Sequence, residues 1–183
     1  MTRIFLTLAA FIILAMTATI IVGFLSFSLD VSDAKKDTFL VHFNLGLVTV
    51  LGILLVHCII FTYFLGTGRW VKEVGLAYEL PDQNLPRLTR ELKRGTFPPA
   101  LFAMLTAIGT AAAGAGNQLQ EWPWYIHASA ACITFVVNLW AFAVEYANLR
   151  VNAQVIADVL DEVDRIRASR GLPSNMEALE QDK

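Results

Sequence analysis

Charge and cysteine are both scarce in this chain, and each scarcity narrows the classes of protein to which it can belong. Only 16% of its 183 residues are charged and 56% are hydrophobic, a balance too apolar for an ordinary soluble domain. There is no C-x-x-C-H motif, which excludes covalent haem attachment. The only cysteines, Cys58 and Cys132, fall at different depths of apolar segments, which argues against a disulfide between them. The net charge of -2 says nothing about nucleic acid, and no long basic run points to such a partner, so none is expected.

Four long apolar runs account for most of the hydrophobic residues. They cover residues 4–27, 39–65, 98–116 and 123–147, and each is about 19–27 residues long, enough to cross a hydrocarbon core of ~30 Å as a helix. The first run is too long for a signal peptide, so we interpret it as an uncleaved span. The sequence therefore predicts an all-α membrane protein, a four-span up-down helical bundle with cytoplasmic helical extensions, in contact with membrane lipid.

The distribution of lysine and arginine predicts the orientation. All basic residues except Lys35 and Lys36 lie before the first span, in the loop 66–97, or after residue 149. Because basic residues accumulate on the cytoplasmic side, we expect a multi-pass protein of the cell (inner) membrane with both termini in the cytoplasm.

Helical patterns continue beyond the spans on that side. The stripe of span two runs on until Pro81, and a short basic helix is predicted for residues 86–94, ending at Gly95. A cytoplasmic helix is predicted for residues 150–170, followed by a flexible tail, 171–183. The helix has an a/d seam formed by Leu149, Asn152, Ile156, Val159, Val163 and Ile166. This seam either packs against the extension of span two or forms a homodimer through Ile156, Val159, Val163 and Ile166.

Spans two and four begin with the same polar pattern. In span two His42 is followed by Gly46 and Thr49, and in span four His127 is followed by Ala131 and Thr134. The i, i+4, i+7 spacing places each set on one face of a helix. Polar groups inside a membrane are costly, so such a stripe is a functional-site hypothesis. Duplication of a helical hairpin would produce the same match, and small residues at four-residue spacing also pack membrane helices.

This pattern predicts a cofactor site between the two spans near the outer leaflet. Diagonal helices of a bundle lie on the order of 13 Å apart, a distance at which the two imidazoles are expected not to touch but to reach opposite faces of one central iron. His42 and His127 are thus the predicted metal ligands of haem b. Gly46 and Ala131 leave room for the macrocycle, and Thr49 and Thr134 line it as hydrogen-bond donors. Zinc is disfavoured because it needs three or four protein ligands.

A second polar pair is predicted deeper in the spans. His57 lies in the inner half of span two, and Glu145 is the carboxylate within its reach on span four. A second bis-histidine haem fails there, because the partner position holds Phe142. A contact between His57 and Glu145, direct or through water, would be either a polar clasp between helices or a proton or ion step. The alternative is that Glu145 points into the membrane interface beside Arg150.

The function predicted from these features is that of a b-type cytochrome-like electron-transfer or haem-binding subunit with a redox or assembly partner protein. The alternative is a cofactor-free structural or assembly subunit that docks a partner through its cytoplasmic helices. No nucleophile–base constellation, phosphate loop or zinc-protease motif is present, so an enzyme is not expected, apart from an accessory role in an oxidoreductase complex. A transporter has less support, because Ile53 and Ile60 interrupt the polar stripe of span two.

Overall fold

The computed structural model describes residues 1–28, 32–80, 84–175, 177 and 180. Its long elements are four α-helices, α1 (Thr2–Ser28), α2 (Ser32–Ala77), α3 (Asn84–Leu119) and α4 (Trp124–Ser169). All four are long and apolar enough to cross a membrane. The predicted all-helical class and the four candidate spans are therefore confirmed, and the chain is compatible with a multi-pass membrane protein.

The apolar side chains divide between an inward and an outward set. Large apolar side chains that remain exposed lie along all four helices, among them Phe11, Leu14, Leu55, Leu105, Val136 and Trp140. Such faces are costly in water and neutral in hydrocarbon, as a helix in lipid requires. Cys58 and Cys132 are both free and exposed, as the argument against a disulfide predicted.

Each helix packs against its neighbours in chain order, and α1 also packs against α4. The main core lies where all four helices meet, and it includes Phe5, Ile12, Met16, Ile53, Ile60, Phe64, Phe142 and Leu149. We call the end of the assembly that carries His42 and His127 the histidine end.

The opposite end is built by three helices, because α1 is much shorter than the others. Met1 lines one recess with Gly66 and Thr67 of α2, so the later turns of α2 continue beyond the start of α1. We call this part, formed by residues 66–77, 84–97 and 148–169, the extension end. Its own apolar cluster joins Val71 of α2 to Val155, Val159 and Val163 of α4.

The extension end agrees with one expectation from the sequence and contradicts another. The continuation of span two is confirmed, since α2 ends at Ala77; Pro81, its predicted terminator, lies outside the described residues. The separate helix of residues 86–94 with a break at Gly95 is wrong, because α3 runs without interruption from Asn84 to Leu119 and contains Pro98 and Pro99. An added Cβ at Gly95 would lie 3.5 Å from Asn148 of α4, an ordinary van der Waals contact, so Gly95 lies beside α4 within a continuous helix and does not end it.

The a/d seam of α4 faces inward in this chain. Val159 and Val163 are 0% and 2% exposed, so neither side chain is open to a second copy, whereas Ile156 and Ile166 are half-buried. The described start of the tail folds back on α4. Arg167 Nε donates to the Pro173 carbonyl, and the Asn175 amide donates to Asp164. Residues 176, 178, 179 and 181–183 of the predicted flexible tail lie outside the described residues.

The helices form two equivalent hairpins, α1–α2 and α3–α4. Positions 85 residues apart on α2 and α4 are buried together: Thr49, Ile53, Val56, His57, Ile60 and Phe64 correspond to Thr134, Asn138, Ala141, Phe142, Glu145 and Leu149. Positions 91 residues apart on α1 and α3 behave alike: Phe5, Ala9, Ile12 and Met16 correspond to Thr96, Ala100, Ala103 and Ala107. The matched histidine pattern is thus one part of a repeat that extends through both hairpins.

Candidate functional site

His42 is held by the neighbouring helix of its own hairpin. Its Nδ1 lies 3.0 Å from the backbone carbonyl of Thr19 on α1, so Nδ1 carries the proton and donates it. The ring rests against Gly23, where an added Cβ would lie 2.8 Å from Cε1. These two contacts direct the ring along α1 and leave Nε2 as the nitrogen with a free lone pair.

His127 repeats this arrangement in the second hairpin. Its Nδ1 lies 3.0 Å from the carbonyl of Thr110 on α3, and an added Cβ at Gly114 would lie 3.0 Å from its Cε1. The Nε2 atoms of His42 and His127 accept no hydrogen bond from the described residues. Both rings are half-buried, so each unpaired nitrogen is accessible rather than sealed in the core.

The two rings meet between the hairpins. Their centroids are 5.9 Å apart and their planes are inclined by 82°. The expectation that the rings stand too far apart to touch is wrong, because both side chains extend inward from α2 and α4 and together span the diagonal. A separation of this size is usual for an edge-to-face contact between rings, and two imidazoles bound to one metal at about 2.0–2.1 Å also place their centroids about 6 Å apart when the metal lies between them.

The two threonines of the predicted site link helices within each hairpin. The hydroxyl of Thr49 lies 3.0 Å from that of Thr19, and the hydroxyl of Thr134 lies 2.7 Å from that of Thr110. Thr49 also donates to the Leu45 carbonyl. The structure therefore places both threonines directly beneath the histidines, but with their hydroxyl groups already paired to the chain.

Small residues surround the histidine pair, although they pack differently from expectation. Gly46 faces α1, where an added Cβ would lie 3.7 Å from Thr19, and Ala131 is half-buried on α4. The glycines that touch the rings are instead Gly23 and Gly114. Among the described residues beyond the level of Met16 and Ile53, the buried side chains are small: Ser26, Thr49, Ala113, Gly116 and Thr134.

Sequence reasoning missed the partners that α1 and α3 contribute. The signal was present, since T-x-x-x-G occurs as Thr19 to Gly23 and again as Thr110 to Gly114. In each copy the threonine carbonyl accepts from a histidine, and the glycine one turn later makes room for its ring. The motif is too short and too common to stand out before the hairpin packing is known.

A second polar cluster, formed by Asn138, His57 and Glu145, lies deeper in the assembly. The predicted contact is confirmed: His57 Nδ1 lies 2.7 Å from Glu145 Oε1, and both side chains are 0% exposed. His57 Nε2 lies 3.1 Å from Asn138 Oδ1, and Phe142 stacks on the ring at 5.2 Å. Both nitrogens of His57 are therefore occupied, which leaves it no free lone pair for a metal.

The ligand count restricts what the histidine pair can hold. Within the described part of the chain, no group of three or more His, Cys, Asp or Glu side chains could hold a metal ion. A zinc site needs three or four protein ligands, whereas haem iron takes its other ligands from the porphyrin and needs only axial ones from the protein. Two half-buried imidazoles whose Nε2 atoms accept no hydrogen bond from the described residues fit the second requirement.

Comparison of the chain with protein-family models, with curated proteins and with solved structures gives no match. The assignment of a function therefore rests on the site itself.

Proposed function

We propose that this protein binds haem b between α2 and α4 of a four-helix transmembrane bundle, with His42 and His127 as the axial ligands. The observation that carries the proposal is the equivalence of the two rings. Each commits Nδ1 to a backbone carbonyl, and the ring centroids lie 5.9 Å apart. Histidines that bind metals nearly always donate their other ring nitrogen to such a partner, which sets the tautomer and the ring orientation.

The role that fits this site is electron transfer. Bound haem supplies a one-electron redox centre, with a potential set by its axial ligands and their hydrogen bonds. The chain contributes the two ligands, holds their rings in place through Thr19 and Thr110, and surrounds them with small side chains. We assign it no catalysis of its own; it serves as an electron-transfer subunit, which includes an accessory place in an oxidoreductase complex.

The orientation we propose follows from the charges. The extension end carries Arg69, Lys72, Arg87, Arg90 and Arg94, so by the positive-inside rule it faces the cytoplasm, together with both termini. The histidine end then lies near the outer leaflet of the cell membrane. A quinol in the bilayer or a redox protein outside is the class of electron donor that reaches this depth.

The direct test is the visible spectrum of the full-length protein, purified in detergent from cells with an ample haem supply. We expect a Soret band in the oxidised and reduced protein and one haem per chain. A colourless protein, purified from such cells and still colourless after titration with haem, would contradict the proposal.

That colourless outcome would favour a second candidate, a scaffold that docks a partner protein. The three-helix extension end has its own apolar cluster around Val71, Val155 and Val159, so it is a defined body outside the four-helix region. Deleting residues 152–183 is then expected to abolish association while the spans stay folded.

Glycine replacements test whether the ring positions matter for the cofactor. Alanine at Gly114 places its Cβ 3.0 Å from His127 Cε1, and alanine at Gly23 places its Cβ 2.8 Å from His42 Cε1. The His42 ring must then move, the His127 ring must give by a few tenths of an ångström, and each change disturbs the hydrogen bond that the ring's Nδ1 donates. We expect haem affinity to fall by about 10–100-fold, the usual loss when a supporting contact of a metal ligand is removed, as measured by haem titration.

Gly109 offers a matched control on α3. It lies five residues before Gly114, and an added Cβ there meets no atom within 4 Å, so Gly109→Ala is expected to leave haem affinity unchanged. Equal losses in Gly109→Ala and Gly114→Ala would show that the effect is one of helix stability and not of ring position.

A further inference from the structure

We infer that His57 and Glu145 form a proton-binding site whose proton affinity depends on the oxidation state of the haem at His42 and His127. The inference rests on the proposed function, and it gives the second polar cluster a role in the same electron transfer.

The hydrogen bonds define where the proton lies. Asn138 Nδ2 donates to the Thr134 carbonyl at 2.9 Å, so its Oδ1 faces His57 and accepts from Nε2. The contact of 2.7 Å between His57 Nδ1 and Glu145 Oε1 then needs a proton between these two atoms. With that proton the pair is neutral overall, and without it two acceptors face each other and the pair carries one negative charge.

Helix packing does not require this polar cluster. The repeat places Ile53, Phe142 and Ile60 at the positions equivalent to Asn138, His57 and Glu145, and all three are buried. At the equivalent positions of the repeat, the helices therefore pack together with apolar side chains. Burying ionisable groups costs free energy that apolar residues at the same positions avoid. A contact needed only for helix packing does not explain that cost.

Unpaired oxygens mark a route to the extension end. Glu145 Oε2 and Asn152 Oδ1 are buried acceptors without a hydrogen-bond partner among the described residues. They lie two turns apart on one face of α4, and Asn152 donates to the hydroxyls of Tyr63 and Thr67. Buried acceptors of this kind are normally satisfied by water, which provides a path for a proton from the extension end to Glu145.

No other charge competes inside the described core. On α1 the nearby buried residue is Phe5, whose ring meets Phe142 at 6.0 Å. The charged groups of α1 are the α-amino group of Met1, a residue that lines a recess with Cys58 and Tyr63, and Arg3, and both residues are exposed. On α3 the cationic groups nearest the level of His57 are Lys93, which is half-buried, and Arg94, which is exposed.

The other titratable groups of α2 and α4 lie away from His57 and Glu145. Cys58 is exposed on the outer face of α2. Tyr63 and Tyr146 lie toward the extension end, and Arg150 stacks over Tyr146 at 5.9 Å.

Reduction of the haem and proton uptake by His57 and Glu145 are coupled through their electrostatic interaction. One electron from a donor of the quinol class, or from an electrode mediator in the test, adds a negative charge at the haem, and the fraction of a proton that the pair then takes up offsets part of it. His42 and His57 are about 22 Å apart along α2. At that distance the proton affinity changes about three- to fourfold on reduction, which corresponds to about 30 mV in the midpoint potential.

The experiment is a redox titration of the haem-loaded protein between about pH 5 and pH 10. In the wild type the midpoint potential is expected to fall by about 30 mV more than in Glu145→Gln between the acid and the alkaline end of that range. Glutamine donates to His57 as the protonated carboxyl does, so the variant stays at the acid value. Glu73→Gln, on the exposed face of α2, is the control and follows the wild type.

A second variant covers the case in which Glu145→Gln does not fold. Replacing Asn138, His57 and Glu145 by their repeat counterparts Ile, Phe and Ile also removes the proton and is expected to give the same acid-like potential. Parallel curves for the wild type and either variant would overturn the inference while leaving haem binding intact. A wild type without a Soret band would overturn both the inference and the proposed function.

Discussion

Alanine in place of His42 or of His127 is expected to remove the Soret band at haem concentrations that saturate the wild type. In the proposed site each ring supplies one of two axial nitrogens, and the described residues around them offer glycine, alanine and paired threonine hydroxyls but no replacement donor. Since loss of a mere supporting contact costs about 10–100-fold in metal affinity, loss of a ligand is expected to weaken haem binding by more than about 100-fold. Haem titration followed by absorbance measures this.

The chain offers close controls for both substitutions. Asn44 and Ser129 each lie two residues after a histidine, at the same level of α2 and α4, and both are exposed on the outer face. Asn44→Ala and Ser129→Ala are therefore expected to keep the full Soret band. A wild-type spectrum in His42→Ala or His127→Ala would place the haem elsewhere and refute the assignment of the ligands.

Breaking the buried pair with one substitution is expected to destabilise the protein by about 3–5 kcal/mol. His57→Phe leaves both oxygens of Glu145 unpaired in a core where the side chain is 0% exposed. The triple variant His57→Phe, Asn138→Ile, Glu145→Ile removes the whole polar cluster and installs the residues that the other hairpin carries. Because well-packed apolar residues often replace a buried ion pair at no loss, its stability is expected within about 1 kcal/mol of the wild type or above it.

Unfolding in mixed micelles with increasing denaturing detergent compares these variants. The decisive comparison is between the single and the triple variant. The effects of the substitutions on stability are not additive, since the single variant is expected to unfold more easily than the triple variant. If His57→Phe were as stable as the wild type, then leaving Glu145 buried without its partner would cost no stability. The hydrogen bonds of the polar cluster would then contribute little to the free energy of unfolding.

Composition and hydrophobic runs were sufficient to predict the helices. The runs at 4–27 and 39–65 predicted α1 and the middle part of α2 (Ser32–Ala77) because a segment in lipid must satisfy its backbone internally. The break at Gly95 was predicted wrongly, since glycine and two prolines signal a helix end locally. In the folded chain Gly95 packs near Asn148, and the helix continues through the prolines.

The candidate site was only partly predictable for a related reason. The pattern of His42, Gly46 and Thr49 on α2 and its copy on α4 lies on helix faces that periodicity defines, and the His57–Glu145 contact followed from matching depths. The roles of Thr19, Gly23 and their counterparts depend on which face α1 turns toward α2. That choice is made by packing between helices distant in sequence, which no local spacing encodes.

The amino-acid sequence alone determined that four apolar helices form, where α1 and α4 begin, and which faces carry histidine, because these properties depend on local periodicity and on the length of each run. Only the tertiary structure decided that the two imidazoles meet at 5.9 Å, that Nδ1 of each is committed to a carbonyl, and that the buried positions of the two hairpins coincide. These features arise from side-chain contacts between helices, whose energies depend on distances of a few ångströms that the order of residues does not contain.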